Sequence, residues 1–314
     1  MPSVLENICV IVAFGQFLVG VFTNGFIGLV NCIEWVKTRR VTPVDFILTG
    51  LAISRIGTLW ALMTMTIFVF IYVKRDYTNN WILSEVIWNI SNHSSAWFGT
   101  CLSIFYFLKI ANFSHPAFLW LKWRINKVVL RMLMGCLPIS LIIILPTMER
   151  ITKIQLIPSD QENKINMSHN VQRLKTLKFS ALILLNTGGL VPFALSFISC
   201  FLLVLSLWRH TQKMHLTVIG SRDPNTEAHV RAMKCIISFL FVFVVYHLGI
   251  TMGVLSLSIC HCKLLAILSV IVMNVYPMTH SIILILGHSK LRQAFRRALG
   301  KLPQSPWESL SGRA

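Results

Sequence analysis

The chain has 314 residues, of which 55% are apolar and 13% charged, and its formal charge is +18. A soluble domain is about a quarter charged, so this balance points to a chain solvated by lipid. The cations lie between apolar runs rather than in a basic, aromatic-interleaved soluble module, which argues against nucleic acid as a partner and for membrane lipid.

Crossing a bilayer takes about 20 mostly apolar residues, and seven stretches meet or approach that length. The first predicted span covers 8–33 and carries no charge. It lacks a basic leader and is too long for a signal-peptide core, so it is expected to remain as an anchor. The second covers 46–73, interrupted only by Arg55, and the third covers 86–108 without a charge. The fourth, 128–148, is the shortest; the fifth covers 179–208, the sixth 235–259 and the seventh 264–287. Backbone polar groups in lipid must be paired within their own segment, so the spans are expected to be helices. The roughly 10-residue alternating segments of a β-barrel are absent from the sequence. The expected fold is therefore an all-α, seven-transmembrane helix bundle forming a single receptor domain over 1–314.

With the N-terminus outside, the inner segments hold 18 Lys and Arg against 9 in the outer ones, and six of those 9 fall in the long loop 149–178, where charge weighs less. This favours an extracellular N-terminus and a cytoplasmic C-terminus. Sequons occur at Asn89, Asn92, Asn112 and Asn166, and only Asn166 falls in an outer loop, which makes it the expected glycosylation site. In the tail, Leu291, Ala294, Phe295, Ala298 and Leu299 share one helical face flanked by Lys290, Arg292, Arg296 and Arg297. Such a segment predicts an amphipathic helix over 288–300 lying in the inner headgroup plane. Six of the eight cysteines fall inside apolar runs, and Cys260-His261-Cys262 is too tightly spaced for zinc. No metal or cofactor motif is expected.

Polar groups inside lipid are functional candidates because they are costly there. Arg55 is the one charge well within a span, with no acid in the spans to neutralise it, so it is expected to face the bundle as a structural staple or as a switch. In the third span Trp88, Asn92, Ser95, Gly99, Ser103 and Tyr106 recur on one helical face. That face is polar or small throughout and so predicts an inward orientation. Trp88 and Asn92 are a sensible lining for an amphiphilic ligand, whereas the small residues could equally permit close helix packing. About 27 Å separates Trp88 from Tyr106 at ~1.5 Å per residue, so one helix links an outer cavity to the inner surface. His247 and His280, in spans six and seven, read first as hydrogen-bonding staples. A transporter or channel would show paired acids or a polar pore, and an enzyme a nucleophile–base pair; the sequence offers neither.

Longer strings resemble one family. Asn24-Gly-Phe-Ile-Gly-Leu-Val-Asn-Cys32, Leu51-Ala-Ile-Ser-Arg55, the stretch Cys101 to Pro116, Ser206 to Met214, Thr226 to Lys234, Tyr276-Pro277 and His280 to Ala294 are similar, in order, to the type 2 taste receptors, the bitter receptors among the G-protein-coupled receptors. The rhodopsin-type Asp-Arg-Tyr and Asn-Pro-x-x-Tyr motifs are missing. The resemblance implies a plasma-membrane receptor for small bitter agonists that activates a gustducin-like heterotrimeric G protein, with phospholipase C and calcium downstream. It implies Trp88 and Asn92 in the ligand pocket with Tyr246 at its floor. It gives Arg55, Tyr106, Lys109, His210, Lys213, His280 and Ser281 switch or G-protein-facing roles, and it implies a glycosylated Asn166. Some relatives carry an acid where Val270 stands, so a salt-bridge anchor for amines is not expected here. The identity of the agonists, and pairing with itself or another receptor, are left open.

Overall fold

The computed structural model describes residues 3–71, 79–111, 113–135, 138, 142, 189–215, 224–256 and 262–300. Among these residues every regular element is helical: α1 (Val4–Thr38), α2 (Pro43–Ile71), α3 (Asn79–Ile110), the short α4 (Pro116–Trp123), α5 (Leu190–His215), α6 (Pro224–Leu255), α7 (Lys263–Gly287) and α8 (Ser289–Ala298). Residues 125–135 are also helical.

Local chemistry sets the ends of α1. Ser3 Oγ accepts from the Glu6 N–H at 3.2 Å, while Glu6 Oε2 accepts from the Ser3 N–H at 3.1 Å, forming a reciprocal capping box. Arg39 closes the helix in the left-handed region, at φ 53°, and donates its N–H to the Trp35 carbonyl. Cys9, Ala13, Phe17, Gly20, Asn24, Ile27 and Asn31 are buried at steps of three and four, so one stripe faces the bundle. The rest of the surface is strongly apolar: Ile11 is 70% exposed, Phe22 68% and Phe241 on α6 70%. A water-soluble monomer rarely presents so continuous an apolar surface, whereas lipid solvates it.

Among the described residues, four helical stretches are long and apolar enough to cross a membrane: Val4–Thr38, Pro43–Phe70, Ile237–Leu255 and Lys263–Gly287. The apolar part of α5, Leu190–Ser206, is shorter. At 32 residues α3 measures about 48 Å, ample for a bilayer, but its inward polar face lowers its hydropathy. The predicted fourth span beyond residue 135, apart from 138 and 142, lies outside the described residues, as do 72–73 of the second, 179–188 of the fifth and 257–259 of the sixth.

The helices extend beyond the apolar runs of the sequence. α1 begins at Val4 rather than Ile8, and α3 at Asn79 rather than Val86, because polar turns continue a helix past the region that lipid selects. α6 packs extensively on α7, α2 on α3, and α1 on both α2 and α7, while α5 leans on α3. Gly249 makes the α6–α7 contact close: a Cβ there would lie 3.0 Å from the Met273 backbone nitrogen. Gly99 does the same between α3 and α6, where a Cβ would meet the Phe239 ring at 2.7 Å.

Three buried apolar clusters fill the bundle. One joins Ile47, Leu51, Phe105, Leu284 and Leu291 at the end where α2 begins. A second joins Ala96, Phe239, Phe243, Tyr246, Val270 and Tyr276 midway. A third ties Leu108, Phe118 and Leu203 together, seating α4 against α3 and α5.

Candidate ligand cavity and interior polar knot

The polar face of α3 turns inward. Ser95, Gly99 and Ser103 are buried, and Trp88, Asn92 and Tyr106 are half-buried. For Gly99 the reason is close packing, given its approach to Phe239. Ser95 instead reaches across the bundle, its Oγ 3.4 Å from the Tyr276 hydroxyl. Farther toward α5, the Thr100 hydroxyl lies 2.9 Å from both the Pro192 carbonyl and Ser196 Oγ.

A small cavity opens beside the first half of this face, lined by Trp88, Asn92, His93, Ala96, Gly189, Phe243 and His247. Its void is about 10 Å³, room for about one water molecule. Trp88 and Asn92 both stand on the wall of this cavity. From α6 the lining comes from Phe243 and His247, whose rings meet edge to face at 4.5 Å. Tyr246 is fully buried beside them, in the cluster against which Trp88 packs, 5.3 Å from the Tyr276 ring centroid. His93 was not legible as a lining residue: it lies about 100° around the helix from Asn92, off the face that the spacing selects.

Below the cavity, aromatic rings continue to a buried polar knot. Phe243 meets Tyr276 at 5.8 Å, and Tyr276 stacks on His280 at 6.3 Å. The Arg55 guanidinium lies over the Tyr276 ring, 5.0 Å from its centroid. Arg55 is wholly buried, donating from Nη1 to Ser281 Oγ at 3.0 Å and from Nη2 to His280 Nδ1. A guanidinium has only donors, so His280 must accept at Nδ1 and carry its proton on Nε2. The Ser281 hydroxyl also lies 2.7 Å from Asn24 Oδ1 and 2.8 Å from the Pro277 carbonyl, sharing one proton between them. Asn24 Nδ2 donates to the Gly20 carbonyl at 2.8 Å and the Pro277 carbonyl at 3.1 Å. Arg55, His280 and Ser281, which are distant in sequence, thus form one cluster joining α1, α2 and α7. Asn24 is the member to which sequence reasoning gave no role; its signals were an amide inside an uncharged apolar run and its place at the head of the Asn24–Cys32 string.

At the far end of α3, Tyr106 packs on two clusters, and Lys109 Nζ sits 5.7 Å from the Phe105 ring centroid. Lys290 of α8 pairs with Asp45 at 2.8 Å, and Phe295 meets Phe26 edge to face at 5.7 Å, holding α8 against the bundle. His210 and Lys213 fall in the last turns of α5, with side chains outside the described residues. Asn166 lies outside the described residues altogether.

Long apolar helices packed around a small cavity, with stacked rings leading from it to a buried guanidinium cluster, are those of a multi-pass membrane protein. The sequence matches the Taste receptor protein (TAS2R) family over residues 1–302. It is 42% identical over 300 residues to Taste receptor type 2 member 7 of Papio hamadryas, covering 95% of each chain. It is 43% identical over 290 residues to the member 7 receptor of Rattus norvegicus, covering 92% of this chain and 93% of that one. Taste receptor type 2 member 9 of Homo sapiens is 44% identical over 302 residues, 95% of each chain. The chain belongs to the taste receptor (TAS2R) family. It is a bitter-taste receptor and not an enzyme.

Proposed function

We propose that this receptor binds small bitter agonists in the cavity beside α3 and passes the signal to a gustducin-like heterotrimeric G protein, with phospholipase C and calcium release downstream. The observation that carries the reading is the unbroken ring contact from Phe243 through Tyr276 to Arg55 and His280. Phe243 of the cavity wall touches Tyr276, and Tyr276 touches Arg55 and His280 of the knot binding α1, α2 and α7, so a change at one is felt at the other.

The mechanism is a population shift. A ligand moves an equilibrium only by binding one arrangement better than the other. A void of about 10 Å³ holds no drug-sized molecule, so an agonist must favour an arrangement in which Trp88, Asn92 and the α6 wall stand apart. Tyr246, packed behind Trp88, is the movable aromatic of that wall. Displacement of Tyr276 then loosens the contacts of Arg55, His280 and Ser281. The cytoplasmic ends carrying Tyr106, Lys109, His210 and Lys213 open to the G protein.

The topology is seven spans in the plasma membrane, N-terminus extracellular and C-terminus cytoplasmic, with glycan on Asn166. α8 lies on the inner leaflet, its cations facing anionic headgroups and Leu291 and Phe295 facing the bundle. The test is agonist-dependent calcium release in cells supplied with a gustducin-like G protein. A diverse bitter panel should yield at least one agonist whose response requires that G protein. Ion flux without any G protein would overturn the reading in favour of a channel.

A further inference from the structure

Two buried imidazole nitrogens at the cavity have no partner among the described residues. His93 is 2% exposed, and its Nε2 makes no hydrogen bond; the same holds for Nε2 of His247. Both residues line the cavity, one from α3 and one from α6. A buried polar atom without a partner is costly, and such atoms in a native structure are commonly satisfied by a ligand or water. The remaining lining residues are aromatic, small or neutral: Trp88, Asn92, Ala96, Gly189 and Phe243. The indole offers only a donor, and among the described residues no carboxylate stands on the wall. Glu85, one turn before Trp88, is outside the lining.

Resting on the reading of this cavity as the agonist site, we propose that His93 and His247 set its ligand class. With Nε2 protonated on both rings, they select planar aromatic molecules bearing a carboxylate, whose oxygens accept from those N–H groups. The aromatic body stacks on Phe243 and Trp88. In that tautomer an ammonium meets two ring N–H groups and an indole N–H, and is disfavoured. Val270 contributes to the same bias, being a buried apolar residue in the adjoining cluster.

The experiment measures calcium responses to a panel of aryl carboxylates, from benzoate to anthracene-carboxylate, with the matched arylmethylammonium compounds. Surface labelling of an N-terminal epitope controls for folding. The wild-type receptor should respond to at least one carboxylate and not to its matched amine. Because hydrogen bonds to charged groups are the strong ones, H93F and H247F should each raise the half-maximal concentration of that carboxylate by about tenfold or more. H93Q and H247Q, which place an amide N–H near the lost Nε2, should recover most of that potency. Unchanged carboxylate potency in the surface-expressed Phe variants overturns the assignment, as does activation by the amines instead. Silence of the whole carboxylate panel, with other bitter compounds active, overturns the ligand class and leaves the receptor reading standing. Silence to every compound of a diverse screen counts against the receptor reading itself.

Discussion

Arg55 on α2 donates from Nη1 to the hydroxyl of Ser281 on α7 at 3.0 Å, and the same guanidinium reaches His280 through Nη2. One planar fork therefore spans two acceptors one residue apart on a helix, and a lysine ammonium, a single point of charge, cannot reproduce that fork. Arg55→Lys should preserve the charge and lose one of the two bonds, lowering stability by about 2 kcal/mol, while Ser281→Ala should cost about 1 kcal/mol. Thermal unfolding of the purified receptor in detergent checks the order. Equal melting temperatures for wild type and Arg55→Lys would remove the fork from any structural role.

The cavity wall makes a different demand. Trp88 lines the void and packs on the cluster of Phe243 and Tyr246. Trp88→Ala should weaken most agonists by tenfold or more, since truncating a buried aromatic anchor removes about 2 kcal/mol of contact, and it should leave surface expression intact. Tyr246→Phe keeps the ring against Tyr276 and should change potency far less than Trp88→Ala. Concentration–response curves across a ligand panel measure both. Unchanged potency in Trp88→Ala would take the indole out of the ligand site.

The α3 face was legible in the sequence because polar and small residues at helical spacing stand out in an apolar span, and the structure turns Ser95, Gly99 and Ser103 inward. The presence of Arg55 in the interior was equally legible, since lipid does not tolerate a bare charge. Its partners Ser281 and His280 lie 226 and 225 residues away along the chain. Helical spacing says nothing about contacts between helices, so only the taste-receptor resemblance grouped them. Helix ends were the least legible: apolar length marks what lipid holds, and α1 is started by a Ser3–Glu6 capping box lying outside the apolar run. His93 escaped because the cavity straddles two faces of α3, where periodicity selects one.

Two glycines give a packing test with an internal control. A Cβ at Gly249 would lie 2.9 Å from Met273 Cγ and 3.0 Å from the Met273 backbone nitrogen, so α6 and α7 would have to part. Gly249→Ala should therefore cost about 1–3 kcal/mol through overpacking. Gly15 on α1 has nothing within 4 Å of a built Cβ. There Ala should be neutral, or stabilising by about 0.5–1 kcal/mol through helix propensity. Paired thermal denaturation curves decide the matter, and a stabilised Gly249→Ala would mean that the α6–α7 contact is looser than described.

His288 joins α7 to α8 and is half-buried, with Nδ1 unpartnered among the described residues. Burial pushes its imidazole below the ordinary value of 6.5; Asp45 pulls it up, and Lys290 and Lys109 push it down further. The folded form thus binds a proton less readily than the unfolded one. Docking of α8 should be at full strength above pH 6.5 and should weaken as pH falls from 6.5 through the lower folded value. Hydrogen exchange over residues 289–298, corrected at each pH for the intrinsic exchange rate and compared at about pH 7.5 and about pH 5.5, should show lower protection at the acid pH. His288→Gln should flatten that difference; a difference that persists in the variant would assign it to Asp45 instead.

Val270 lies buried in the apolar cluster of Phe243, Tyr246 and Met273, and Phe243 also lines the cavity beside α3. A carboxylate placed there has no cation to pair with among these side chains, so Val270→Glu should fold less well and reach the surface in smaller amounts. A cationic agonist brings the missing partner. It should therefore gain about tenfold in potency, and, by stabilising the state that it binds, it should raise surface expression when present during synthesis. Aryl carboxylates should lose potency by repulsion. Flow cytometry of an epitope-tagged receptor, with and without amine, separates this from a general folding defect. Expression of the Val270→Glu variant restored equally by amines and by uncharged agonists would place the introduced carboxylate outside reach of the bound ligand.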